Sequence, residues 1–311
     1  MLSSWPRLVE LDPVWFVLML AAESGSFVCV WALQRVALRT DDWFAVGASQ
    51  LAGNAFSRVV PGGVAAGGAL QFRMLSDAGV PTTTAVTGLT AVSLLQIATV
   101  LALPVLSLPA VLGGTPVNRG LAQAAWIGGG VFVLMFVLGA VLLTTDWPLR
   151  ATGRATQQLR NRLRPHHAPI DDLPDRLVHE RDLIRGALGS GWKEALLASV
   201  GKWGLDYLAL VAALMAVGAR PNPSLVLLAY VAAAVLSMIP FTPGGLGFVE
   251  AGLSATLTLA GVGAGHAVLA TLAYRLVSYW LPLPAGLVAA RLFRRRYPRR
   301  ALRSGARSGP D

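Results

Sequence analysis

The sequence predicts an all-α polytopic membrane protein of two inverted-topology repeats, each with a Pro-Gly-Gly broken or re-entrant helix hairpin, joined by a cytoplasmic loop. Three observations carry that expectation. Only 14% of the 311 residues are charged while 54% are hydrophobic, where a soluble domain carries about a quarter charged residues. Several apolar runs reach the roughly 20 residues needed to cross hydrocarbon. A shift of 182 residues brings Pro61-Gly62-Gly63 onto Pro243-Gly244-Gly245.

The first span is expected from Pro13 to Leu38, between the acidic Glu10-Leu11-Asp12 and the basic Arg35 and Arg39. That asymmetry puts the N-terminus outside and residue 40 inside. Trp43 to Val60 is apolar but carries Gln50, Asn54, Ser57 and Arg58. The spacing of four and three places Gln50, Asn54 and Ser57 on one helix face. A small-residue segment with Arg73, Val64 to Leu75, follows the Pro-Gly-Gly turn. Neither arm is long enough to span comfortably, so a broken or re-entrant hairpin is the natural reading. Thr82 to Leu106 and Leu121 to Leu143 read as full spans. Leu173 to Leu188 reads as a short helix near the headgroups. Ala195 to Val217 is the fifth span, and Ser224 to Ile239 leads into Pro240-Phe241-Thr242-Pro243-Gly244-Gly245. Proline removes a donor and glycine permits positive φ, so the helix breaks there and restarts near Leu246. The last span is expected from His266 to Ala290, before an arginine-rich tail.

Beyond the Pro-Gly-Gly turns, the same shift aligns Ala78-Gly79-Val80 with Ala260-Gly261-Val262 and Ser24 with Asp206. The polar 147–194 segment and the arginine tail must both be inside, which sends the two hairpins in from opposite faces. Paired broken helices of this kind place a solute site near the midplane.

The net charge of +10 does not mark a nucleic-acid binder. Eight arginines lie between Arg291 and Arg307, and most others in 150–194 or beside span ends. That is the pattern of cytoplasmic flanks facing anionic lipid, and no stacking aromatics or reading motif accompany it. Cys29, the single cysteine, excludes an intramolecular disulfide and a thiolate metal cluster. His166-His167 lacks a third ligand at metal spacing. No cofactor is expected, and the N-terminus has no signal-peptide pattern.

The candidate site residues are the polar groups stranded in apolar sequence. Arg58, Arg73, Arg275 and Tyr279, with the backbone of Gly244 and Gly245, would hold a phosphate, because arginine bonds phosphate oxygens in pairs. The helix restarting at Leu246 would add its N-terminal N–H groups. Glu250 either pairs with Arg275 or accepts an ammonium or a proton. Glu23, Asn54 and the i,i+4 pair Lys202 and Asp206 are coupling or structural groups.

Pro243-Gly244-Gly245-Leu246-Gly247-Phe248-Val249-Glu250, with Tyr274-Arg275 and Tyr279-Trp280-Leu281-Pro282-Leu283-Pro284-Ala285-Gly286 downstream, resembles the transmembrane, flippase-like domain of lysylphosphatidylglycerol synthases. The likeness covers roughly residues 10–295 and implies a stand-alone bacterial member without the synthase domain. It implies movement of a phospholipid or polyprenyl-linked headgroup between leaflets, not catalysis, with Glu250 and Arg275 as the matching acid and base. Members of the family often have a further span before the segment corresponding to Pro13. Where the family's first motif has Pro-Gly-Arg and a nearby acid, this chain has Pro61-Gly62-Gly63, Ala66 and Gly67. That departure weakens the case for an aminoacylated lipid.

The expected units are a first membrane repeat with a connecting span (1–145), a basic cytoplasmic loop (146–194), a second repeat (195–292) and a basic tail (293–311). The setting is a bacterial plasma membrane, with loop and C-terminus cytoplasmic. Expected partners are membrane lipids and a cytoplasmic lipid-modifying enzyme, and no nucleic acid. An accessory subunit anchoring such an enzyme is the alternative. An intramembrane lipid-processing enzyme is a further one, although no Asp-x-Asp, Gly-x-Ser-x-Gly, His-Glu-x-x-His or P-loop motif is present.

Overall fold

A computed structural model describes residues 13–60, 63–107, 119–163, 172–238 and 243–298, and among these every regular element is helical. The elements are α1 (Pro13–Leu38), α2 (Trp43–Val59), α3 (Gly63–Asp77), α4 (Thr82–Ala102) with a 3₁₀ turn Leu103–Ser107, and α5 (Arg119–Thr144). Then come α6 (Trp147–Leu163), α7 (Leu173–Leu188), α8 (Trp192–Ala216), α9 (Pro223–Met238) and α10 (Phe248–Leu259). Last are α11 (Ala264–Arg275), a π-helical turn Leu276–Trp280 and α12 (Pro282–Arg296). Four stretches are long and apolar enough to cross a membrane: Pro13–Leu38, Thr82–Val105, the run ending at Ala216, and Ala264–Arg296. Pro61-Gly62, Pro240-Phe241-Thr242, His166-His167 and the tail from Arg299 lie outside the described residues.

Helices α1 and α8 form the centre and run antiparallel. Leu205 lies over Gly25, Cys29 over Gly201 and Val36 over Gly191, and Arg39 Nη2 donates to Gly186 O at 2.6 Å. The end of α1 therefore meets the start of α8, and we call this the loop end. Around α8 gathers the largest buried cluster, with Met19, Val100, Leu210, Leu214, Val226, Leu253, Leu257 and Val277.

Hairpin α2–α3 starts from the loop end, because α1 finishes there. Hairpin α9–α10 starts from the opposite end, because α8 finishes there. With 17 and 16 residues, α2 and α9 reach only about 25 Å at 1.5 Å per residue, against ~39 Å for α1. Each hairpin packs on the other half of the chain: α2 lies along α12, and α9 along the turn Leu103–Ser107.

The 182-residue shift holds beyond the turns. It carries α2 onto α9, α3 onto α10 and α4 onto α11, to within a few residues. Helices α3 and α10 end in one motif. In α3, Gly79 (φ 95°) donates to Ser76 O at 3.0 Å and Val80 to Leu75 O at 3.0 Å. In α10, Gly261 (φ 93°) donates to Thr258 O at 3.0 Å and Val262 to Leu257 O at 3.1 Å. Both are Schellman caps, which need a left-handed residue that glycine supplies without strain. The aligned Ala-Gly-Val triplets are therefore helix terminators.

Lipid gives helices no hydrophobic reason to pair, so contact comes from small residues that let backbones approach and from a few polar bonds. Gly53 and Gly67 show this between α2 and α3: a Cβ on Gly67 would lie 2.4 Å from Gly53 O. Polar bonds add Trp31 to Gln50 at 3.2 Å, Gln71 to Gln34 at 2.9 Å, and Thr99 with Ser199 at 2.8 Å.

Gly67→Ala should overpack this contact and cost about 1–3 kcal/mol, lowering the midpoint of thermal unfolding in detergent. Neighbouring Gly68, whose Cβ would meet nothing within 4 Å, should tolerate alanine with no loss.

Candidate polar cavity between the two halves

Asp206, only 9% exposed, accepts from three side chains inside the bundle. Its Oδ2 accepts from Lys202 Nζ at 3.2 Å and from Tyr230 OH at 2.9 Å, and its Oδ1 from Tyr274 OH at 2.6 Å. A buried carboxylate is stable only when its charge and lone pairs are met. Here α8, α9 and α11 each supply a donor. The i,i+4 spacing of Lys202 makes its contribution a property of α8 alone, and its ammonium also lies 3.2 Å from the Trp203 ring centroid. The two tyrosines arrive only through folding.

Arg275, next to Tyr274 on α11, reaches the start of α10. Its Nε donates to Glu250 Oε1 at 2.7 Å and its Nη2 to Gly244 O at 3.3 Å. Glu250 Oε2 accepts Gly247 N–H at 2.7 Å, so this carboxylate caps its own helix and neutralises an arginine together. A carboxylate in the first turn also meets the positive end of α10. Gly244 has φ 62° and its Cβ would fall 2.2 Å from Tyr279 OH, so glycine is required by both conformation and space.

Arg58 ends α2 and reaches across to the second half. Its Nη1 donates to Ser278 O at 2.9 Å and Tyr279 O at 2.5 Å. The sequence four residues on explains part of this. Pro282 has no N–H, so Ser278 O lacks its helical donor, and the π turn, closed by Leu281 N to Leu276 O at 3.0 Å, turns these carbonyls toward α2. Tyr279 stands between the two guanidiniums, its ring centroid 4.8 Å from Arg58 Cζ and 4.3 Å from Arg275 Cζ, and its OH donates to Arg58 O at 3.3 Å. An aromatic face between two cations attracts each while holding them apart.

These groups surround a cavity of about 200 Å³ lined by Glu23, Gln50, Asn54, Arg58, Lys202, Asp206, Tyr230, Tyr274, Arg275 and Ser278, with Phe27, Val249 and Leu253 among its apolar walls. Glu23 Oε2 and Asn54 Oδ1 are buried without a hydrogen-bond partner. Glu23 lies ten residues from Pro13 on α1, and Asp206 ten residues from Ala216 on α8. In an antiparallel pair this sets both at one depth.

Of the residues expected to form a site, Glu23, Asn54, Arg58, Lys202, Asp206 and Arg275 line the cavity, and Tyr279, Gly244 and Glu250 support it through Arg58 and Arg275. Gly245 (φ 72°) serves the turn. Arg73 does not join them: it is exposed, in a groove with Asp77, Arg294 and Tyr297 at the loop end. It lies on the returning arm of the hairpin, which carries it away from the turn. The expected open helix terminus at Leu246 is also corrected. Helix α10 starts at Phe248, and Glu250 itself occupies the N–H of Gly247. The last span, expected from His266 to Ala290, runs within Ala264–Arg296 and contains a π turn beside Arg275. Tyr230 was not anticipated, and Tyr274 only as part of a motif. A phenol inside an apolar run is itself a signal, because a buried hydroxyl needs a partner.

Residues 3–286, which include every group named in the cavity, match the family described as Lysylphosphatidylglycerol synthase TM region. The chain belongs to this family. Similar curated proteins include a UPF0104 membrane protein of Methanothermobacter thermautotrophicus, 35% identical over 92 residues, which is 30% of this chain and 26% of that one. Another is a UPF0104 membrane protein of Pyrococcus horikoshii, 36% identical over 84 residues, 27% of this chain and 25% of that one. The chain thus spans about a quarter of the length of either relative. No solved structure matches it. Membership in the lysylphosphatidylglycerol synthase TM region family agrees with the membrane-length helices and makes this a multi-pass membrane protein.

Removing one member of a buried pair strands the other, at a cost of roughly 3–5 kcal/mol. Arg275→Gln should therefore lower stability in detergent strongly, and adding Glu250→Gln should recover part of the loss. A double-mutant cycle measures it, with a coupling of about 0.5–3 kcal/mol expected.

Proposed function

We propose that the protein is a lipid translocator, in which the cavity between the halves holds the anionic headgroup of a membrane lipid during passage between leaflets. The observation that carries this reading is the placement of Arg58 and Arg275 in one buried cavity, each brought by a different half of the chain. Arg58 hydrogen-bonds only to backbone carbonyls among the described residues, so an entering anion can pair with it directly. Hairpins that start from opposite ends, and a central antiparallel pair related by the 182-residue shift, support an inverted-repeat arrangement with re-entrant hairpins. Such an arrangement offers a midplane site to each side in turn.

Transport is favoured over catalysis by the state of Asp206 and Glu250. Asp206 already accepts from three side chains, and Glu250 from a backbone N–H and an arginine. Neither is disposed as a general base. The membrane is a plasma membrane in this reading, with the loop end cytoplasmic. Arg150, Arg154, Arg160 and Arg162 on α6 and Arg294, Arg295 and Arg296 on α12 supply the basic flank that faces the inner leaflet.

The test uses purified protein in vesicles containing a trace of phosphatidylglycerol with a fluorophore on an acyl chain. A membrane-impermeant quencher should extinguish inner-leaflet fluorescence over time only when the protein is present. Arg58→Gln should slow this at least about tenfold, the worth of a lost charge-assisted hydrogen bond, and Arg73→Gln should not. Unchanged transbilayer rates with and without the protein would remove the proposal.

A further inference from the structure

Glu23 stands apart from the other carboxylates around the cavity. It is 7% exposed, and its Oε2 has no hydrogen-bond donor, whereas Asp206 and Glu250 are each held by several. It lies on α1 at the depth of Asp206. The titratable and charged groups that share the cavity with it are Lys202 and Asp206 from α8, Arg58 from α2, Tyr230 from α9, and Tyr274 and Arg275 from α11. Glu250 stands behind Arg275.

Glu23 faces Arg58 and Lys202 across this space and lies against Asp206. Lys202 is matched by Asp206 at 3.2 Å, and Arg275 by Glu250 at 2.7 Å. Arg58 then remains as the cation without an ion-pair partner among the described residues, with Glu23 the remaining acid. If Glu23 is ionised, three cations face three carboxylates and the site is neutral. If a phosphodiester then enters, a net negative charge is enclosed in low dielectric, which is strongly unfavourable. If Glu23 takes a proton, the same phosphodiester becomes the counter-charge of Arg58 and the loaded site is neutral again.

We propose that Glu23 binds one proton from solvent when an anionic headgroup enters the cavity and releases it when the headgroup leaves, so that lipid and proton move together. The proposal rests on the translocator reading above. Its electrostatics are closed at both stages. Carboxylate and phosphate alternate as partners of Arg58, and neither the loaded nor the empty site carries a net charge through the membrane. Asp206 cannot serve in this role without giving up three donors. Glu250 cannot without releasing both Arg275 and the start of α10.

The experiment measures binding of dioctanoyl phosphatidylglycerol to the purified full chain in detergent between about pH 5 and 8, where one linked proton makes affinity rise up to tenfold for each unit the pH falls. Glu23→Gln should bind with an affinity that no longer follows pH, while Glu23→Asp should keep the slope. A measurement free of substitution accompanies it: mixing the unaltered protein with the lipid in weak buffer should take up about one proton per lipid bound, read with an indicator dye. A flat wild-type profile, no proton uptake, or a wild-type slope in Glu23→Gln overturns the coupling and leaves translocation standing. Absence of binding at every pH overturns the translocator reading beneath it. Inorganic phosphate is the second probe. Weaker binding than the lipid supports a headgroup seat, and equal binding overturns the lipid as the source of the anion.

Discussion

The architecture of the inner bundle depends on the burial of one carboxylate. Asp206 sits where water is scarce, and its charge is tolerable only because Lys202, Tyr230 and Tyr274 converge on it. Those donors come from α8, α9 and α11, so satisfying Asp206 fixes three helices against one another. The placement of Tyr274 has a direct consequence for its neighbour. With the phenol turned toward Asp206, Arg275 is directed toward Glu250 and the Gly244 carbonyl, and the turn after α9 is tied to α11.

Close approach between helices makes these polar bonds possible. Small residues make the closest contacts of α2 with α3 and α12: Gly53 meets Gly67, and Gly286 meets Ala55 and the Leu51 carbonyl. Thin contacts give little dispersion energy per residue, but they bring the end of α2 within reach of the π turn. Pro282 then matters as an absence. By withholding an N–H it leaves a carbonyl of the second half to be bonded by an arginine of the first. The link between halves is therefore a backbone acceptor and a side-chain donor, which tethers them without neutralising the arginine.

The halves correspond element by element yet contribute different chemistry. The first supplies Glu23, Asn54 and Arg58, and the second Lys202, Asp206, Glu250, Arg275 and both phenols on Asp206. No charged residue of the cavity has a like-charged counterpart at the 182-residue shift. The chain builds a single composite cavity in which each half completes what the other lacks.

Much was legible in the residues themselves. Composition and the length of the apolar runs give the helices, because hydrocarbon thickness and backbone satisfaction leave no other regular structure for such a chain. Pro13–Leu38 and Leu173–Leu188 appear with the bounds the pattern gives, the i,i+4 pair Lys202 and Asp206 forms as spacing requires, and Pro243-Gly244-Gly245 forms a turn before α10. Local geometry determines all of these. The tertiary structure alone decided which stranded polar groups meet. Arg58 and Arg73 look alike in sequence, but one ends the inbound arm of its hairpin and the other lies on the returning arm, so only Arg58 reaches the cavity. Tyr230 gains its role from a carboxylate 24 positions away on another helix. Glu250 is spent on its own helix and on Arg275, while Glu23 is left with an oxygen unmatched. Spacing in the chain specifies neighbours on one helix; the neighbours across helices follow from packing.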